Sequence, residues 1–221
     1  AIEDMERAKI ERTRDAVTVL PGGRTSRIKD IQLAGQSQAR AIHEQSVTLL
    51  LEDYRDLSGR YDKLVSIEMI EAIGHQYLDT YMAKCASLLK PDGLALIQAI
   101  TIEDHRYEQA LHSVDFIKRY IFPGSFIPCV SVMVNAAAQS GPLRLLNLED
   151  IGPSYARTLH EWRRRFMGKL DQIRSQGYDE RFIKMWEFYL AYCEGGFAER
   201  YLGTVQLLLA KPECRRAVLP S

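Results

Sequence analysis

Residues 51–74 read LEDYRDLSGRYDKLVSIEMIEAIG, and the fold is decided there. An acidic–aromatic turn at Asp53 and Tyr54 leads into a short apolar strand, Lys63 to Ile67. That strand runs straight into two carboxylates, Glu68 and Glu71. Open α/β sheets bind their ligands outside the carboxyl ends of their strands, so carboxylates delivered at such an end mark a candidate site.

The reading extends outward in both directions. Upstream, Val47 to Asp53 (VTLLLED) is apolar and alternates weakly, which predicts another strand. Gln36 to Gln45 predicts a short helix, Leu20 to Gly35 is irregular, and Ile2 to Val19 has the pattern of a charged amphipathic helix. Downstream, Tyr77, Tyr81, Cys85 and Leu88 recur at helical spacing within His75 to Leu89. KPDG (Lys90 to Gly93) reads as a turn. The continuous apolar run LALIQAITI (Leu94 to Ile102) suits a strand covered on both faces. His105 to Phe122 is helical and rich in aromatics, PGSFIP is a loop, and Val130 to Gln139 is a helix ended by Gly141. A strand is expected over Arg144 to Ile151, long helices over Ser154 to Gln176 and Asp179 to Tyr201, and a last strand over Thr204 to Ala210. Strands alternating with helices predict a doubly wound, mostly parallel α/β sheet. The expected domain organisation is an N-terminal helix over residues 1–20, then one domain over 21–221 with a helical insertion at about 104–141 that covers the ligand end of the sheet.

Composition bounds the function. Lys+Arg and Asp+Glu balance at 29 each, so no global field favours nucleic acid, and no nucleic-acid partner is expected. No apolar run approaches the ~20 residues that a membrane-spanning helix needs. The charged start AIEDMERAKIER does not read as a signal peptide. The cysteines Cys85, Cys129, Cys193 and Cys214 form no CxxC pair, which predicts a reduced, cytoplasmic chain without structural zinc. His75, His105, His112 and His160 show no metal-ligand spacing, and no metal is expected.

Six pieces in order, LEDYRDL, YDKLVSIEMIEAIGHQY, LLKPDGLALIQAITI, DFIKRYIFPGSFIP, EDIGPSYARTLHEW and RFIKMWEFYLAYCEGGF, carry a resemblance. They resemble the cyclopropane-fatty-acyl-phospholipid synthases, a family of class I methyltransferases that use S-adenosylmethionine. The match runs from about Leu49 to Pro212, and YIFPGxFxP and RxxxxWExYxxYCxxxF are specific to it. AIEDMERAKIERT also resembles the helix before the cofactor domain of that family. The resemblance implies a Rossmann-like sheet with a helical lipid-binding insertion. It implies methyl transfer from S-adenosylmethionine to the cis double bond of an unsaturated phospholipid acyl chain, then proton loss from the new methyl and ring closure. A related outcome, a methylene or methyl-branched chain, stays open, as does a catalytically inactive lipid-binding protein. The implied setting is cytoplasmic and peripheral at the inner membrane face, and a homodimer is plausible.

Site residues follow from the same resemblance. The family base is a bicarbonate ion gripped by a glutamate, a histidine, a backbone group and a tyrosine. Glu71 falls on the glutamate, Ile100 on the backbone group and Tyr155 on the tyrosine. Gln98 falls where many members carry histidine, a departure that removes a proton carrier but keeps hydrogen-bonding capacity. Asp53 and Tyr54 match the acidic–aromatic pair that holds adenine, and Gln38 a cofactor-contacting glutamine. Nothing between Val17 and Gln45 matches the glycine-rich turn LDIGCGWGG that ends the family's first strand. Residues omitted from this stretch and loss of half the cofactor site are the two accounts of that gap.

Simpler roles compete at each position. Glu71 would suit a helix N-terminus, Gln98 a backbone-satisfied core position, Tyr155 plain packing, and Glu68 a solvated or capping position. Phe116, Tyr120, Phe122 and Phe126, with Phe182, Trp186, Tyr189 and Phe197, are either core or the wall of an acyl channel. Arg157, Arg163, Arg164, Arg165, Lys169 and Arg174 crowd one region, either as a solvated face or as a patch for anionic headgroups.

Overall fold

The structure, a computed structural model, describes residues 16–19 as backbone and residues 50–215 in full. Five strands form one sheet: β1 (Ala16–Val19), β2 (Tyr61–Ile67), β3 (Leu89–Ile102), β4 (Arg144–Asp150) and β5 (Leu202–Ala210). Their order is β1-β2-β3-β5-β4. β1, β2 and β3 run parallel, whereas β5 is antiparallel to both its neighbours. Four of the five strands, β1 to β4, therefore point the same way, as a mostly parallel sheet requires, and β5 inserts between β3 and β4 from the opposite direction.

The helices are α1 (Leu78–Ser87), α2 (Tyr107–His112), α3 (Val130–Ser140), α4 (Gly152–Met167), α5 (Leu170–Ser175) and α6 (Glu180–Ala198). Strand periodicity sorts β3 cleanly. Ala95, Ile97 and Ala99 point into the main core with Leu64, Val205, Leu207 and Leu209, under α1 and α3. The alternate residues Leu94, Leu96, Gln98 and Ile100 face the other side and are half-buried. There, α4 and α6 pack Leu159, Leu190 and Phe197 against Ile100 and Leu202. Helix α3 contributes Met133, Ala136 and Ala137 to the main core, so the part of residues 104–141 standing apart from it is the stretch before α3.

Several local expectations change. Residues 16–19 (AVTV) are a strand rather than the end of a helix, as β-branched valine and threonine favour beside the parallel partner β2. Residues 50–53 are not strand. Leu50 and Leu51 are 56% and 68% exposed, and Asp53 closes a turn by accepting from the Asp56 amide at 2.9 Å. The predicted helix at Gln36 to Gln45, the first three residues of VTLLLED and the N-terminal helix up to residue 15 lie outside the described residues. KPDG does not end β3. It bulges: Tyr61 pairs with Leu89 and Lys63 with Leu94, so the extra residues loop outward inside a continuous strand. The long helix expected to end at Gln176 breaks at Gly168 into α4 and α5.

Helices α1 and α3 approach closely where Gly141 ends α3. A Cβ there would lie 2.5 Å from the Ala86 Cβ. Gly141→Ala should therefore destabilise the fold by about 1–3 kcal/mol through overpacking, read as a lower urea midpoint. Adding Ala86→Gly should recover part of that loss, whereas equal destabilisation in the double variant would place the cause elsewhere.

Candidate active site

The end of β2 turns sharply. Glu68 adopts φ 50°, a left-handed conformation rare for a residue with a Cβ, while its amide still donates to the Gln98 carbonyl at 2.9 Å. That backbone turn carries the Glu68 side chain to the face covered by α4 and α6. Its Oε1 accepts from the Tyr155 hydroxyl at 2.6 Å and from the Gln98 Nε2 at 3.0 Å. Gln98 is oriented in turn by Gln206 of β5, whose Nε2 donates to the Gln98 Oε1 at 2.8 Å. The two glutamines are direct register partners across the β3–β5 ladder.

Glu71 lies in the following 3-10 turn, Ile70–Ala72. Its Oε1 accepts the Ile100 amide at 2.5 Å, and its carbonyl accepts the Phe126 amide at 3.1 Å. Its Oε2 is buried with no partner among the described residues. Burial pushes this carboxyl up to about 7, against the opposing effect of its backbone hydrogen bonds and with a further push from the Glu68 charge. The Tyr155 phenol is raised well above its ordinary value, first by burial and then by its bond to Glu68. Tyr155 also packs on Phe197, with ring centroids 4.8 Å apart.

All four positions expected around the anion thus converge. Glu71, Ile100, Gln98 and Tyr155 sit at one place on the sheet, joined by Glu68 and Gln206. Glu68 is half-buried and caps no helix: the turn's N-cap is Met69, without a side-chain cap bond, and Glu68 is the acceptor on which two donors meet. Gln206 was not legible as a site residue, because a single glutamine in TVQLLLA reads as an ordinary strand position; only its pairing with Gln98 reveals it. These groups do not fit a bicarbonate ion. The Ile100 amide is taken by Glu71, and both the Tyr155 hydroxyl and the Gln98 amide are directed at Glu68. A free anion would also face the Glu68 carboxylate.

Toward the expected adenine end, both Asp53 oxygens accept from Arg55, at 2.9 and 2.7 Å. Tyr54 is half-buried and meets Tyr81 edge-on, ring centroids 5.8 Å apart. The Tyr81 hydroxyl donates to Ser66 Oγ at 2.7 Å, which ties this turn to the end of β2. A carboxylate beside an anchored aromatic ring is a pairing that fits the adenosine end of S-adenosylmethionine. Gln38 and the stretch without a glycine-rich turn lie outside the described residues.

Aromatic rings continue from this centre. Tyr189 meets Trp186 at 5.1 Å and Phe122 at 6.1 Å, and Trp186 stacks on Phe182 at 5.5 Å. The nearby arginines are largely neutralised: Arg164 pairs with Glu161, Arg163 with Glu194, and Arg174 with Glu180 and Asp171. A cleft of about 290 Å³, lined by Thr101, Asp150, Pro153, Phe197 and Gly203 among others, lies beyond the Tyr155–Phe197 contact and includes neither carboxylate of the site.

A mixed Rossmann-like sheet with a polar centre at the end of its parallel strands defines a class I methyltransferase fold. The mycolic acid cyclopropane synthetase family model matches residues 22–207, and the chain belongs to that family. It is 36% identical to the tuberculostearic acid methyltransferase UfaA1 of Mycobacterium tuberculosis, over 93% of this chain and 54% of that protein. It is 33% identical to the cyclopropane-fatty-acyl-phospholipid synthase of Escherichia coli K12, over 75% of this chain and 41% of the synthase. The chain thus spans about half the length of these relatives. Among solved structures, the mycolic acid cyclopropane synthase CmaA1 in complex with SAH and CTAB superposes with a TM-score of 0.73 at 20% identity, covering 96% of this chain and 86% of that one. The cyclopropane synthase MmaA2 of Mycobacterium tuberculosis gives 0.72 at 20% identity, with the same coverage of 96% and 86%. At that identity the likeness shows the fold.

The raised Glu71 carboxyl has a stability consequence. Its folded value of about 7 stands above the ordinary 4.5, so the neutral form stabilises the fold. That contribution is complete below pH 4.5 and is lost as pH rises through 7. Unfolding free energy should therefore fall between pH 5 and 8, by up to about 3 kcal/mol from this group. Glu71→Gln should flatten the decline in urea titrations, and an unchanged slope would show that another group carries it.

Proposed function

We propose that this chain transfers a methyl group from S-adenosylmethionine to the cis double bond of an unsaturated phospholipid acyl chain and then removes a proton from the new methyl to close a cyclopropane ring. The observation that carries the reading is the convergence of Glu68, Glu71, Gln98, Ile100 and Tyr155 beside an aromatic row in a chain of this family. When bound, S-adenosylmethionine supplies the electrophilic methyl. Asp53 and Tyr54 would hold its adenosine end.

The protein has three tasks. An alkene is a weak nucleophile, and its product is a carbocation, so water must be excluded and the cation stabilised. The faces of Tyr155, Tyr189 and Trp186 do both, as π surfaces that attract positive charge and as apolar walls. The Glu68 carboxylate, and Glu71 in its ionised form, favour the cation by Coulomb attraction. The proton then needs an acceptor.

A second reading has its own support. The relative UfaA1 is named a tuberculostearic acid methyltransferase, and Gln98 replaces the histidine common in the synthase resemblance. If a hydride shifts before the proton leaves, the same centre produces a methylene-branched chain instead of a ring. The working surface would be the cytoplasmic membrane face. Exposed Tyr120, Phe122 and Phe188 near Lys118 and Arg119 suit such contact better than the arginines of α4, which are mostly paired. No described helix is long and apolar enough to cross a membrane. A homodimer remains part of the proposal on the family resemblance alone.

Incubation with S-adenosylmethionine and monounsaturated phospholipid vesicles, followed by proton NMR of the released fatty acids, tests the reading. Upfield cyclopropane protons are the expected result. Olefinic methylene protons would move the product to the second reading, and unchanged lipid would reject both. Glu71→Gln should abolish turnover, a loss of ~100-fold or more, while cofactor affinity measured by calorimetry stays within about threefold; normal turnover would remove Glu71 from the mechanism.

A further inference from the structure

We infer that the carboxylate of Glu68 takes the place of the bicarbonate ion and is the built-in base of the reaction. The inference rests on the proposed methyl transfer to an alkene, and it concerns how the proton leaves. Three observations carry it. The groups that would grip a bicarbonate ion are instead bonded to protein carboxylates: Tyr155 and Gln98 to Glu68, and Ile100 to Glu71. Both donors to Glu68 meet on one oxygen, Oε1, so Oε2 keeps its lone pairs for a proton, with no partner among the described residues. The residue is held in a left-handed backbone conformation, φ 50°, which glycine adopts without cost and glutamate does not. A strained position retained for a charged side chain at the end of a strand points to a use for that side chain.

The step balances. The alkene π pair forms the new C–C bond to the methyl carbon while the C–S bond breaks, and its electron pair leaves on sulfur as S-adenosylhomocysteine. The cation stands on the carbon next to the methylated one. Glu68 Oε2 takes a proton from the new methyl, and the released C–H pair becomes the third side of the ring. In the methylene variant, hydride first moves from the methylated carbon to the cationic one, and the same deprotonation then produces the C=CH2 bond. Glu68 ends as the neutral acid and returns its proton to solvent after product leaves. Gln98 cannot accept that proton as a histidine would. Its role is to position Glu68, with its own amide fixed by Gln206.

The assignment separates Glu68 from Glu71. Glu71 has one oxygen engaged by a backbone amide and the other buried without a partner, whereas Glu68 stands between α4 and the strand ends.

Two variants and two readouts test the inference. Glu68→Gln keeps the shape and an acceptor oxygen for Tyr155 and Gln98 but cannot take a proton. It should lower kcat by ~100- to 10,000-fold, with KM for the lipid and affinity for S-adenosylmethionine within about threefold of the wild type. Glu68→Gly suits the φ of the site and opens the space of the carboxylate. It should bind 13C-labelled bicarbonate, seen as line broadening by 13C NMR, and recover part of its lost activity when bicarbonate is added. Wild-type turnover should be indifferent to removal of dissolved carbon dioxide. Three results would overturn the inference: a Glu68→Gln variant within tenfold of wild-type kcat, wild-type activity that requires bicarbonate, or wild-type protein that binds the labelled ion. Failure of the underlying reading looks different, with no methyl transferred to any monounsaturated lipid by wild type. In that event the binding comparison still decides the inference: binding by the glycine variant alone supports Glu68 as the resident anion, and binding by neither or both rejects it.

Discussion

One carboxylate oxygen, Glu68 Oε1, ties together α4, β3 and, through Gln98, β5 at the end of β2. It accepts a hydroxyl from α4 and an amide from β3, and that amide is held by β5. The donors come from positions far apart in sequence, so the network forms only when helix, strands and register are all in place. Each donor would be costly to leave unmet in a half-buried setting, about 1–3 kcal/mol per group. A polar centre of this kind adds little net stability when satisfied, yet strongly disfavours any packing that leaves it unsatisfied. The docking of α4 across the ends of β3 and β5 is specified by this oxygen as much as by the apolar contacts of Leu159, Leu190 and Phe197.

The two glutamates on the same turn occupy different environments, and the difference is chemical rather than positional. Glu71 has buried surroundings and a single amide donor, which favour its neutral form. Glu68 meets two side-chain donors. Carboxyl groups placed close together and given unequal surroundings acquire unequal roles, because the charge of one raises the cost of charging the other. Burial of Glu71 therefore does more than satisfy the Ile100 amide. The residue also holds the turn in place, because the Glu71 carbonyl accepts the Phe126 amide.

Much of this was legible in the chain, for identifiable reasons. The run from Lys63 to Glu71 showed a strand and its carboxylates because apolar alternation and a polar terminus are local signals. The apolar run from Leu94 to Ile102 likewise showed β3. Gln206 stayed hidden because its role depends on antiparallel register with Gln98, more than a hundred residues away in sequence. Glu68 was misread for a related reason: its solvated look in sequence ignores a left-handed backbone that swings it beneath Tyr155. KPDG carried a true turn signal, but the β2 ladder resumes beyond it and absorbs the extra residues as a bulge. The arginines of α4 read as a basic patch because their partners are split between near positions such as Glu161 and the distant Glu194 on α6.

The aromatic side of the centre completes the physical argument. In the proposed reaction a carbocation would be attracted by the Glu68 carboxylate, but water would capture it as readily as a base would deprotonate it. Stabilisation by charge alone therefore does not protect it. The rings of Tyr155, Tyr189 and Trp186 would add attraction without a nucleophilic lone pair in their faces and would take up volume otherwise open to water. The cleft of this region is lined by Phe197, whose ring packs on Tyr155. Tyr155 thus joins two contacts in one residue: its hydroxyl holds the Glu68 carboxylate, and its ring packs on Phe197, which lines the cleft.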